Sequence, residues 1–168
     1  MSSVDAIRFA PLHDQEIEPM RIADLCTHDV VSIQATATVR EAADAMRSHH
    51  VGALVVVEKP NGERIPVGII TDRDIVLEVV AAGGDPGQLT LAEVMSKPVF
   101  ICTESQELFA AIIAMREHGV RRLPVVNAKG GLAGMVTADD IVGALGTHMR
   151  DLGQALTREE THEMQTRR

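Results

Sequence analysis

The sequence predicts an α/β fold in which two βαββα repeats pack as a pseudo-two-fold pair. Three observations predict it: the chain repeats itself internally, each copy alternates β-branched apolar runs with helically spaced apolar stripes, and both copies carry the same Gly-x-x-Thr-x-x-Asp motif at the same place. A shift of 69 positions lays Ala45-Met46-Arg47-Ser48-His49 on Ala114-Met115-Arg116-Glu117-His118, Val51 on Val120, and Leu54, Val56 and Val57 on Leu123, Val125 and Val126. After a three-residue contraction the shift is 66, and residues 68–76 (GIITDRDIV) lie on 134–142 (GMVTADDIV). The contraction falls in a turn, where length change is tolerated.

In the first repeat a short strand is expected over Val30–Ile33. Thr38-x-x-Glu41 is a capping-box signature, and Val39, Ala42, Ala43 and Met46 then recur at helical spacing, so a helix is expected to end near His49. Ala53–Val57 is an apolar β-branched run, Pro60-Asn61-Gly62 a turn, and Pro66–Ile70 a second run, which together read as a hairpin. Asp72–Ala82 then reads as a helix stopped by Gly83-Gly84.

The second repeat follows the same order, with a short strand at Val99–Cys102 and a helix bearing Leu108, Ala111, Ile112 and Met115. Strands are expected at Leu123–Val126 and Leu132–Val136 around Lys129-Gly130-Gly131, and a helix from about Asp139. Its first helix is less well capped, because Glu107 stands where Thr38 would be. The expected organisation is an extension over 1–19, repeats over 20–83 and 91–147, a Gly/Pro linker over 84–90, and a helical or disordered tail over 148–168. Units of about 60 residues bury too little surface to stand alone, so they are expected to share one body.

Composition narrows the function. Apolar residues make up 45% of the 168 and aromatics 2%, with no Trp or Tyr, so Val, Ile, Leu, Ala and Met must fill the core and base-stacking platforms are scarce. The net charge of -8, from 16 basic and 24 acidic residues, argues against general nucleic-acid binding or an anionic membrane surface. An anionic ligand would have to be held by local arginines. No signal peptide or membrane-spanning run is readable, so a cytoplasmic location is expected. Cys26 and Cys102 are expected to be reduced structural thiols.

The motif residues are Gly68, Thr71 and Asp74, then Gly134, Thr137 and Asp140, each set at a strand-to-helix junction. Such a junction offers helix N–H groups to an oxyanion, a hydroxyl beside them, and a carboxylate that can accept from two ribose hydroxyls. The glycine allows close backbone approach. Thr-x-x-Asp is equally a helix cap, but two copies at the same point of a repeated fold favour binding.

The paired βαββα pattern, Met95-Ser96-Lys97-Pro98-Val99, the strand Arg122-Leu123-Pro124-Val125-Val126 and both motifs resemble the cystathionine β-synthase (CBS) domain family over about residues 20–147. The resemblance implies a Bateman module, two CBS repeats whose interface forms two clefts that in many members hold AMP, ADP, ATP, S-adenosylmethionine or related ligands. It places the ribose-binding role on Asp74 and Asp140 and the phosphate-proximal role on Thr71 and Thr137. Arg121 and Arg122 stand where the family often supplies a phosphate-facing base, and Pro124 follows them within the same strand. Gly52 and Ala53 stand at the equivalent positions of the first repeat, whose cleft must then borrow a cation, from Arg73 or from the other repeat. Unequal sites are therefore expected.

These features describe a regulatory adenosyl-ligand sensor acting on an unknown protein partner or through its own homodimer; the stripe of Val76, Val79, Val80, Ile141 and Leu145 reads equally as the dimer contact or as intramolecular core. The alternative is a ligand-independent dimeric scaffold or protein-interaction module. No nucleophile stands beside a readable base, and neither a Walker loop nor a metal-ligand spacing is present, so catalysis, a metal and a resident cofactor are not expected. His49 and His118 sit near helix ends, where the dipole favours a structural role.

Overall fold

A computed structural model describes residues 20–166; the extension expected over 1–19 lies outside the described residues. Strand β1 (Ser32–Gln34) leads to α1 (Val39–His49), β2 (Ala53–Glu58), β3 (Ile65–Thr71) and α2 (Asp72–Asp74), which runs on as a π-helical segment, Ile75–Val80. A short helix α3 (Leu91–Val94) precedes β4 (Cys102–Thr103), α4 (Leu108–His118), β5 (Arg122–Val126), β6 (Leu132–Thr137) and α5 (Ala138–Thr166). The repeat is thus βαββα twice. The two sheets have matching orders, β1-β2-β3 and β4-β5-β6, with the first pair parallel and the hairpin antiparallel. Even the bulges coincide, between Val56 and Val57 and between Val125 and Val126.

Local chemistry explains the elements. Thr38 and Glu41 form a reciprocal box at the start of α1, with Thr38 N–H donating to Glu41 at 2.7 Å and Glu41 N–H to Thr38 at 3.2 Å. The Glu41 carboxyl is held below its usual range by these bonds from Thr38. Glu107 makes no side-chain cap on α4, in line with its weaker signal. Both first helices end on a left-handed residue, His50 at φ 54° and Gly119 at φ 64°. The buried stripe of α1 is Val39, Ala42 and Met46; Ala43, expected to share it, is exposed because it lies off the face that meets the sheet. The strands preceding the helices begin two to three residues later than expected, since only Ser32–Gln34 and Cys102–Thr103 reach a pairing partner.

The cores are interwoven. Ile22 is fully buried in the core built on Leu108, Leu123, Val125 and Val136 of the second repeat, with Met20, Leu25 and Cys26 beside it. Conversely, Leu91 is fully buried in the core of the first repeat, with Ala92, Val94 and Met95. The segment ahead of each repeat therefore packs into the other repeat. Backbone bridges fix the exchange: Thr27 pairs with Met135 on β6, and Ser96 with Ile69 on β3. A third cluster, Val55, Val57 and Leu132 with Val30 and Met135, joins the two sheets directly.

Candidate ligand clefts between the repeats

The exchange creates two related openings. The first is a cleft of about 200 Å³ lined by Ile69, Thr71, Asp74, Ser96, Gly119, Val120, Arg121 and Arg122. The second, of about 230 Å³, is lined by Thr27, Asp29, Val30, Val31, Val51, Gly52, Ala53, Arg122, Met135 and Thr137. Under the repeat alignment Thr71 corresponds to Thr137, Ile69 to Met135, Ser96 to Thr27, Arg121 to Gly52 and Arg122 to Ala53. Each cleft thus sets the motif of one repeat against the turn before the central strand of the other.

This geometry answers the question of the missing cation. Arg121 and Arg122 face the motif of the first repeat, so the cleft of Thr71 and Asp74 takes its cations from the second repeat. Arg73, the other candidate, is exposed on α2 and lines neither cleft. The motif threonine of the second repeat faces Gly52, Ala53 and Asp29, with Arg122 as the one cation among the residues lining that cleft. The two openings differ in charge although they share a plan. No side-chain hydrogen bond or ion pair holds Arg121 or Arg122 among the described residues.

The motif corners are complete capping boxes. Thr71 Oγ1 donates to Asp74 Oδ2 at 2.8 Å, Thr71 N–H to the same oxygen at 2.9 Å, and Asp74 N–H to Thr71 Oγ1 at 3.1 Å. Thr137 and Asp140 repeat the pattern at 2.7, 2.8 and 3.2 Å. The first-turn amides of α2 are therefore already occupied, Asp72 N–H by the Gly52 carbonyl at 3.1 Å and Arg73 N–H by Asp72 Oδ1 at 2.8 Å. The expectation that this helix end offers free N–H groups to an oxyanion does not hold. What the corner leaves open is the second carboxylate oxygen of Asp74.

Three other expected site residues take different places. A Cβ on Gly68 would collide with Met95 Sδ, and one on Gly134 would lie 2.9 Å from both Cys26 Sγ and the Thr27 carbonyl oxygen. The close approach these glycines permit is to the exchanged segments of the protein itself rather than to a ligand. Pro124 is buried within β5 and lines neither cleft. Asp140 is bonded to Thr137 but is not among the residues lining the second cleft. Sequence reasoning assigned no site role to Ser96, Thr27 or Asp29: Ser96 entered only within the Met95–Val99 stretch of the family resemblance, and the signal of all three is their place just ahead of each repeat's first strand.

The remaining polar groups are structural. Cys26 and Cys102 are free, buried thiols of the second core; burial pushes Cys102 up to about 12 and also raises Cys26. The His118 ring stacks on Phe100 at 3.7 Å. Among the described residues no group of three or more His, Cys, Asp or Glu side chains is placed to hold a metal ion, and no helix is long and apolar enough to cross a membrane.

Two interwoven repeats with two clefts lined by residues of both define a paired-repeat module. The CBS domain model matches residues 22–81 and 91–147, and the chain belongs to the CBS domain family. The chain is 38% identical over 121 residues to the uncharacterized protein MK0525 of Methanopyrus kandleri, covering 72% of this chain and 60% of that one. It is 34% identical over 125 residues to hypoxic response protein 1 of Mycobacterium tuberculosis, covering 74% and 85%. A crystal structure of hypoxic response protein I with two coordinated zinc ions superposes at a TM-score of 0.64 and 32% identity, over 73% of this chain and 97% of that one. The CBS domain pair of MJ0100, solved with 5′-methylthioadenosine and S-adenosyl-L-methionine, superposes at 0.67 over 77% of this chain and 98% of that one; at 24% identity the likeness is one of fold. CBS domain pairs are commonly regulatory ligand-binding modules.

Proposed function

We propose that this chain is a non-catalytic regulatory module that senses an adenosyl ligand in the cleft between Thr71–Asp74 and Arg121–Arg122, and that it works in the cytoplasm as a homodimer. One observation carries the reading: two guanidinium groups with no side-chain hydrogen bond or ion pair among the described residues stand at an open cleft of a protein whose net charge is -8. Such charges are kept for an anion, and guanidinium geometry suits phosphate. In this arrangement Arg121 and Arg122 hold the phosphate, the open oxygen of Asp74 accepts from the ribose diol, and Ile69 and Val120 flank the base. The second cleft, with Asp29 and a single arginine, suits a less anionic member of the same ligand class. Both clefts lie below the roughly 300–1,000 Å³ of pockets that enclose a drug-sized ligand, so the phosphates of a nucleotide would remain at the mouth.

Ligand-independent scaffolding is the second reading, and the two complete capping boxes favour it, since they give the motif a full structural purpose without a ligand. A thermal-shift screen of the full chain against ATP, ADP, AMP, S-adenosylmethionine, NAD(H) and cyclic dinucleotides separates them. A ligand selective for the native state raises stability by RT ln(1 + [L]/Kd), about 2.7 kcal/mol at 100 times Kd. The sensor reading expects a concentration-dependent rise with at least one adenosyl compound. No rise with any of them, from well-folded protein, selects the scaffold.

A further inference from the structure

Helix α5 spans 29 residues, Ala138–Thr166, and runs well past residue 147, where the second repeat ends. Its first turns are anchored, with Ile141 buried and Ala138 and Ala144 packed on the second core. Another face is apolar and unused: Val142, Leu145, Met149, Leu152 and Leu156 are all exposed, Val142 and Met149 by 67% each. Their spacing alternates three and four residues, the 3.5-residue period of a helix that pairs with another helix.

Beside it on α4 the fold alone does not demand an apolar surface, and there the pseudo-symmetry supplies the control. Arg40 and Asp44 occupy the outer face of α1, with Asp44 ion-paired to Arg47 at 2.9 Å, whereas the equivalent positions on α4 are Phe109 and Ile113, both exposed. On these two helices the scaffold is polar outside in the first repeat and apolar outside in the second; ahead of the linker the first repeat also exposes Val76, Leu77 and Val80, with Val76 the counterpart of Val142. Helix stability points the same way, because Gly143, Gly146 and Gly153 lie inside α5 with open space around them, and each costs about 0.5–1 kcal/mol relative to Ala. A segment of that composition extending beyond the core needs a partner to stay helical.

We propose that the α5 helices of two copies of this chain pair as a parallel, in-register two-stranded coiled coil through Val142, Leu145, Met149, Leu152 and Leu156, with Phe109 and Ile113 of α4 adding to the contact. The proposal deepens the homodimer reading above by naming its segment and its sense. The occupant is a second copy because the seven side chains offer on the order of 700 Å² of apolar surface, above the few hundred Å² of a typical monomer patch and near the ~800 Å² each partner gives a stable interface. The parallel sense follows from Leu145 and Leu152, which fall at the positions that parallel pairs fill with leucine; the alternate positions hold Val142, Met149 and Leu156, of which Val142 is the β-branched residue that such pairs favour there. The series ends naturally, since the next seam position after Leu156 is Glu159.

The test uses the full-length chain. Light scattering is expected to give twice the chain mass for the wild type, and Met149→Glu/Leu152→Glu is expected to be monomeric with its strand content unchanged by circular dichroism. In a parallel pair residue 152 meets its own counterpart, so Leu152→Cys should form an interchain disulfide under mild oxidation, while Thr147→Cys on the outer face and the wild type, whose two cysteines are buried, should not. A monomeric wild type overturns both the coiled coil and the homodimer reading. A dimer that survives the double glutamate variant, or one in which Leu152→Cys does not cross-link, overturns the coiled coil and leaves the homodimer standing.

Discussion

Gly134 lies where two chain segments cross. Its missing side chain leaves room for the Thr27 carbonyl, which is backbone, whereas at Gly68 the neighbour is the flexible Met95 side chain. The same glycine-to-alanine change therefore has unequal effects. Gly134→Ala is expected to destabilise by about 1–3 kcal/mol, as overpacking against an unyielding neighbour does, and Gly68→Ala by less because the thioether can move aside. Urea unfolding of the two variants checks the order; equal losses would mean that the segment of Cys26 and Thr27 gives way as easily as a methionine. The threonine and aspartate of each motif were legible in the sequence as a pair with two meanings. The structure shows that the capping geometry is fully formed, with Asp74 Oδ2 taken up by Thr71 and Oδ1 outside the box. The amides of Asp72 and Arg73 are occupied by hydrogen bonds to Gly52 and Asp72, which carry no motif of their own.

At the scale of elements, the reading from sequence was good wherever the signal was local. The capping box at Thr38, the hairpin strands and the end of α1 at His49 all have short-range causes, and all are present. The asymmetry of the caps also carried through, since α1 has a reciprocal box and α4 has none. Glu107→Ser is therefore expected to stabilise the protein by about 0.5–1 kcal/mol, because a serine side-chain oxygen can accept from the N–H of Phe109 or Ala110, with which the Glu107 side chain makes no cap bond. Thermal unfolding at fixed pH checks it, and a lower melting temperature would show that Glu107 serves the pairing of its backbone with Arg21 instead. The stripe that reads equally as contact or core is split between the two: Val79 and Ile141 are buried in their own cores, while Val76, Val80 and Leu145 are exposed. Periodicity alone does not tell which side of a helix meets its own sheet when both sides are apolar.

In the whole molecule, the decisive feature is the exchange of leading segments between repeats, and it has no local signature. Ile22 and Leu91 read as ordinary apolar residues in short polar surroundings, yet each is fully buried in the core of the opposite repeat. Because of that exchange, and of the sheet contact through Val55, Val57 and Leu132, each motif faces the turn of the other copy. The unequal openings were foreseen from Gly52 and Ala53 standing where the arginines stand, but the side on which the arginines fall follows only from the packing. The central claim is that Arg121 and Arg122 hold the phosphate of an adenosyl ligand whose ribose rests at Asp74. Its most direct test is calorimetric titration of AMP and of adenosine into wild-type protein and Arg121→Ala/Arg122→Ala. Each charge-assisted hydrogen bond is worth about 1.5–3 kcal/mol, so AMP affinity should fall at least tenfold in the variant while adenosine affinity changes little. Equal AMP affinity in the two proteins, or no AMP binding by the wild type, would contradict the account.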